Sequence, residues 1–211
     1  MRTTAIMMAL VLAAGTVLAG TTATELTSAN AQREETSFGD LAADALAAAA
    51  NTTLAVVPAV SFKSGTIPTG EVTLAAVREL LTQPDETWAV VQLTGQELRE
   101  MLERSVSRAP QPNAGFLQVS GISMDYDPRA ARNERISRLT VSGAAVEPDA
   151  DYEVAMPYSL AKGGSGYFTI FGEDDIRRSG SGEMAQVIVD FVDQQETVEP
   201  TGQGRIVPAA E

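Results

Sequence analysis

The chain has 211 residues, 28 of them acidic and 15 basic, and a formal net charge of −13, a surface that repels phosphate backbones and argues against nucleic-acid binding. It contains no cysteine, which excludes disulfides, thiolate nucleophiles and thiolate-bound zinc. It also contains no histidine, which excludes Ser-His-Asp triads, imidazole-bound metal and a histidine general base. Chemistry is left to carboxylates, lysines, hydroxyls and backbone groups.

Arg2 and the apolar run over residues 5–18 read as the first two regions of an export signal. The run is shorter than the ~20 apolar residues of a membrane span. Ala29-Asn30-Ala31 is an A-x-A site and predicts cleavage before Gln32, with Ala19-Gly20 as the rival. The signal peptide would then be 1–31 and a single domain would occupy 32–211, exported to the periplasm or secreted, with no remaining membrane span.

Ser37 and Asp40 resemble a capping box, and Phe38, Leu41, Ala42, Ala45, Leu46 and Ala49 recur at helical spacing. Residues 54–57 read as a short buried strand, 58–70 as a loop rich in turn formers, 74–81 as a short helix and 88–93 as a strand. Thr94 and Glu97 form a capping box for a helix whose apolar face is Leu98, Met101, Leu102 and Val106. Strands are predicted over 116–119, 122–126, 136–141 and 152–156, as one antiparallel meander with a charged loop at 127–135. After a turn at Gly163-Gly164-Ser165-Gly166, Met184, Val187, Ile188, Phe191 and Val192 define a closing helix, and 204–207 a last edge strand. The pattern predicts an α+β fold: a layered domain with a mixed, mostly antiparallel sheet and flanking helices.

Ser159-Leu160-Ala161-Lys162 matches S-x-x-K and Lys63-Ser64-Gly65 matches K-[ST]-G, but in the reverse order to that of penicillin-binding enzymes, and Gly163-Gly164 ends any helix that would carry the first motif. Asp125, Asp127 and Arg129 have calcium-loop spacing with arginine in a ligand position, and Glu173, Asp174 and Asp175 read as a solvated loop, so neither predicts a metal site. The Gly163–Gly166 turn could offer backbone N–H groups to an anion.

The colinear segments FGDLAADAL, LAVV, VVQLTGQELREMLERS, GFLQVSGISMDYD and YSLAKGGSGYF resemble the C-terminal domain of 5'-nucleotidases, from about residue 36 to 171 and on to Arg205-Ile206. In that family the C-terminal domain supplies the nucleotide pocket, while an N-terminal metallophosphoesterase domain holds two metals through Asp, His and Asn. The resemblance implies a domain that is non-catalytic alone and needs no cofactor or metal of its own. It would bind a small anionic or nucleoside-like ligand, serve as substrate-recognition subunit for a separate metallophosphoesterase chain, or act as an interaction domain without ligand.

The resemblance also implies where a ligand would sit. Phe62 and Lys63 fall in the family's N-x-G-G-x-R loop, Ser159 takes the place of a base-stacking ring with Tyr158 adjacent, and Ser165 replaces the ribose-binding aspartate of a G-G-D-G-Y turn that ends here in Tyr167. The second ring's P-F motif reads Gln83-Pro84-Asp85-Glu86, and Arg33 lies one position off the family's basic residue. These replacements imply a degenerate pocket. Its two loops, 62–64 and 162–167, are expected close together, with Lys63 and Lys162 as contacts for an anion.

Overall fold

The computed structural model describes residues 18–199 and 204–210. Most of the expected export signal therefore lies outside the described residues.

In chain order, β1 (Leu18–Thr22) and β2 (Leu26–Thr27) precede the long helix α1 (Ser37–Ala50). Thr36, not Ser37, caps α1: its backbone is extended and its side chain accepts the Gly39 N–H. Asn51 ends the helix in the left-handed conformation. Alanines cover much of α1, which lets it pack closely on the sheet beneath. Next come β3 (Leu54–Pro58), β4 (Thr66–Ile67), β5 (Gly70–Thr73), α2 (Leu74–Leu80) and β6 (Trp88–Thr94). The capping box of Thr94 and Glu97 forms as expected and starts α3 (Gly95–Val106).

The second half holds β7 (Leu117–Ser120), β8 (Ile122–Tyr126), β9 (Ile136–Val141), β10 (Ala144–Ala145) and β11 (Asp151–Pro157). One helical turn, α4 (Tyr158–Ala161), follows, then β12 (Ile176–Gly180), α5 (Met184–Gln195), β13 (Thr197–Val198) and β14 (Ile206–Pro208).

The central sheet runs β12-β6-β11-β3-β7, with β3 and β11 parallel and the other pairs antiparallel. A second sheet runs β10-β9-β8-β14, with β14 parallel to β8. The fold is α+β with mixed sheets, as expected. The single meander is not found. β7 and β11 join the central sheet, while β8 and β9 leave it. Burial explains the division: β7 is buried at every residue, whereas β8 alternates and needs only one covered face. Gly121 makes the break at φ +72, and a Cβ there would fall 2.1 Å from the Thr53 carbonyl oxygen.

Residues assigned to the export signal contribute to this unit. β1 pairs with β5 and β13, β2 pairs with β4, and Leu26 is 0% exposed. Ser28 Oγ donates to the Lys63 carbonyl at 2.6 Å. The folded unit thus extends upstream of Gln32.

β14 is fastened by charge. The Arg205 guanidinium donates to both carboxylate oxygens of Asp44 at 2.8 Å and to the Val119 carbonyl at 2.6 Å. Glu35 Oε2 accepts the N–H groups of Gly204, Arg205 and Ile206. Asp40 lies beside them, 2% exposed, and burial, aided by the neighbouring Glu35 charge, pushes its pKa up to about 9. Asp40 Oδ1 and Glu35 Oε1 are buried without a donor from any other residue. The raised pKa favours the protonated Asp40 carboxyl, which carries an O–H donor that a carboxylate lacks.

Candidate functional site

Of the residues singled out in sequence, Phe62 is core. Its ring meets Phe38 edge-on at 5.8 Å and its backbone bridges to Leu81. Lys63 is exposed, with its N–H donating to the Leu80 carbonyl at 2.9 Å. Tyr158 opens α4, half-buried, with Lys162 Nζ 5.7 Å from its ring centroid. Ser159 is exposed and its N–H donates to the Glu86 carboxylate at 2.8 Å. Ser159 and the Gln83–Glu86 segment therefore do come together. Lys162 also pairs with Glu173 at 3.8 Å, so its ammonium contacts a ring and a carboxylate, and no hydrogen bond joins it to Ser159 among the described residues.

The turn beyond α4 is rigid for identifiable reasons. Tyr167 is fully buried, stacks on Phe171 at 5.6 Å and donates its hydroxyl to the Gly115 carbonyl at 2.7 Å. Burial drives its phenol pKa well above the ordinary tyrosine range. It anchors the turn and has no free polar atom for a ligand. Ser165, at φ +55, is exposed and turns its carbonyl to Arg104 Nη2 at 3.4 Å. Among the described residues no hydrogen bond, ion pair or ring contact joins Phe62 or Lys63 to this turn. The link between them is indirect: Val60 N–H donates to the Ala114 carbonyl, and Gly115 follows.

The principal cavity, of about 1220 Å³, opens on the outer face of α3. Its walls are the loops around 111–115, 132–133 and 165–170. Ser165 is the one sequence-selected residue on its lining; the sequence patterns do not single out the others that matter, Arg99, Arg104, Arg108 and Arg132. Arg104 is the best seated. Its guanidinium lies 5.7 Å from the Tyr167 ring centroid and against Gly166, where a Cβ would come within 1.9 Å of Nη2. The G-x-G turn thus makes room for an arginine. Arg104 lies in the last turn of α3 and Arg108 four residues on, just past the helix end, a spacing visible in the sequence. Arg132, from the charged loop, joins them only in three dimensions.

Two glutamates share the lining. Glu103 is buried, and its carboxylate accepts the Ile136 N–H at 2.8 Å and the Arg135 N–H at 3.1 Å. Glu100 is exposed and accepts from Gln96. Outside the cavity, Asp125 and Asp127 pair with Arg138 and Arg129, which hold both carboxyls below the usual range. Among the described residues no group of three or more His, Cys, Asp or Glu is placed to hold a metal, and no helix is long and apolar enough to cross a membrane.

Comparison with known proteins places this geometry in context. The sequence matches the family described as 5'-nucleotidase, C-terminal domain, over residues 14–173. The human 5'-nucleotidase is 33% identical over 129 residues, covering 57% of this chain and 22% of the relative. A snake venom 5'-nucleotidase from Naja atra is 31% identical over 132 residues, covering 59% and 25%. The chain therefore spans about a quarter of the length of these curated relatives. Among solved structures, the 5'-nucleotidase precursor from Thermus thermophilus superposes with a TM-score of 0.83 at 26% identity, covering 92% of this chain and 40% of that one. NAD nucleotidase from Haemophilus influenzae shares the fold at a TM-score of 0.77 and 15% identity, covering 92% and 38%. With the family match spanning most of its length and the fold superposing on a solved 5'-nucleotidase, the chain belongs to the 5'-nucleotidase C-terminal domain family.

Proposed function

We propose that this chain is an exported ligand-recognition domain that does not hydrolyse phosphoesters by itself. One observation carries the reading: the likeness to 5'-nucleotidases occupies only 22–25% of the relatives just described, and within it this chain has no histidine. Two-metal hydrolysis needs a clamp of metal ligands around the attacking and leaving oxygens, and the matched part is of the kind that recognises substrate. The ligand is small and anionic or nucleoside-like, held beside the 158–167 turn. Ser159 and Glu86 stand where the resemblance puts ring-bearing segments. Each absent ring forgoes roughly 1–3 kcal/mol of stacking, so the pocket is a degenerate one.

Arg2 and the apolar run support export. Cleavage after Ala19 takes only Leu18 and Ala19 from β1, whereas cleavage before Gln32 would remove all of β1, β2 and the buried Leu26, so the former fits better. N-terminal sequencing of exported protein should give Gly20; a start at Gln32 would refute the revised site, and an intact Met1 would refute export.

The test of function uses protein purified from residue 20 onward. No phosphate should be released from nucleoside monophosphates, with or without manganese or zinc, while a thermal-shift screen of nucleosides, nucleotides and phosphate esters should give at least one stabilising ligand. A metal-dependent rate that co-elutes with the protein through successive columns would overturn the reading. A second reading, in which a separate metallophosphoesterase chain docks here, draws on Phe168, an apolar side chain 73% exposed beside the Tyr167 anchor. Capture of such a chain from native envelope extract, lost on Phe168→Ser, would favour it.

A further inference from the structure

Most cations of this acidic protein have found a carboxylate or another fixed partner. Arg78, Arg129, Arg138, Lys162, Arg178 and Arg205 all form ion pairs. Arg99, Arg104, Arg108 and Arg132 form none among the described residues, although they share one cavity with two glutamates. Those glutamates are otherwise engaged: Glu103 by backbone N–H groups of the β9 entry, Glu100 by Gln96 at 3.0 Å. The two carboxylates keep their charge and offset half of the four guanidiniums, which leaves the lining a formal excess of two positive charges, and a concave wall focuses such an excess outward.

The fixing of the guanidiniums is also specific. Arg99 is held by one bond, Nη1 to the Ile136 carbonyl at 3.2 Å, and Arg104 by one long bond to the Ser165 carbonyl and by the Tyr167 ring. Each is oriented with the rest of its fork unused. Of the uncharged polar groups on the remaining wall, the Asn113 amide already donates to the Arg104 and Ser105 carbonyls, and no aromatic ring lines the cavity among the described residues. A guanidinium fork matches the paired oxygens of a phosphate group, whereas a wall without rings gives a base nothing to stack on.

We propose that the α3 cavity binds a compact oxyanion of two or more negative charges, of the diphosphate or phosphate-ester class. The inference rests on the ligand-recognition reading but moves the anion contact from Lys63 to the arginines around α3 and the β8–β9 loop.

The probe is inorganic diphosphate, titrated calorimetrically into the protein from residue 20 onward at low ionic strength, with inorganic sulfate as a second arm to separate phosphate chemistry from charge alone. Saturable binding is expected, weaker for sulfate and weakening as salt is raised. Arg108→Gln and Arg132→Gln, both at exposed positions, should each weaken it about tenfold, as befits loss of a charge-assisted contact, and leave the melting temperature unchanged. Arg104→Gln should weaken it further. Lys63→Ala should leave it untouched. Absence of saturable diphosphate binding overturns the inference, as does binding that survives all three arginine variants. Equal affinity for sulfate would overturn the assignment to phosphates. Binding lost only in Lys63→Ala would refute this cavity yet keep the ligand-recognition reading, whereas that reading fails separately if no compound in the nucleoside and phosphate-ester screen stabilises the protein.

Discussion

The molecule holds arginine in two contrasting settings. At β14, Arg205 is partly buried, bidentate to Asp44, and surrounded by the acids Glu35 and Asp40. Around the end of α3, Arg104 and Arg108 line an open cavity and form no ion pair among the described residues. The first setting binds the chain to itself; the second leaves charge for something else. The same side chain is thus structural where acids surround it and available where the acids nearby are already engaged by backbone or amide donors. Composition alone, with acids nearly twice as numerous as bases, would place every arginine in the first class.

That contrast can be broken most forcefully at Asp40. Its carboxyl binds a proton in the folded state up to about pH 9, while an unfolded aspartate releases it near 3.8. Between those values the folded state holds more protons, so this group makes stability fall as pH rises through the window, and its penalty is absent below about pH 4. Asp40→Asn should remove that dependence and stabilise the protein by on the order of 4 kcal/mol at pH 7, read as flattened urea midpoints across pH 5–9. A variant that loses stability at pH 7 would show that the carboxylate is needed ionised.

Arg205→Ala should act in the opposite direction. It strips a partly buried cluster of its cation and the β14 backbone of its fastening, at a cost of about 3 kcal/mol by chemical denaturation. A loss under ~1 kcal/mol would put this cluster in the same class as a surface pair. Arg108→Gln should sit at the far end of the scale, within about 0.5 kcal/mol of the parent, since nothing in the fold leans on it. The smallest effect is expected at Lys63→Ala: the backbone of residue 63 is held by Leu80 and Ser28, whereas its side chain forms no ion pair among the described residues. A melting-temperature drop of several degrees there would mean that the exposed lysine has a structural partner.

The sequence carries local rules well and convergent ones poorly. Thr94 and Glu97 announce α3 because a capping box is written within four residues. The division of β7 from β8 is not legible, because both segments look like strands and only the full burial of β7 decides its sheet. β12 escapes the strand patterns since its Arg177, Arg178 and Ser179 are exposed, as suits an edge strand. At the site, Phe62 and Tyr167 look available as aromatic residues in turns, yet one fills the core beside Phe38 and the other is locked to Gly115. The arginine cavity is invisible in sequence for another reason. Arg132 reaches it from a loop that sequence patterns describe only as charged.

The β14 fastening also has a direction in time. Asp44 and Arg205 are separated by 161 residues, and Asp40 and Glu35 precede Asp44. At the usual 5–20 residues per second, a chain under synthesis exposes these acids on the order of ten seconds before their cation exists. During that interval Asp44 has no guanidinium and the Glu35 oxygen has no β14 backbone to receive. The acids along α1 therefore stay uncompensated until the last strand arrives, and the native cluster can close only on a chain whose synthesis has passed Ile206.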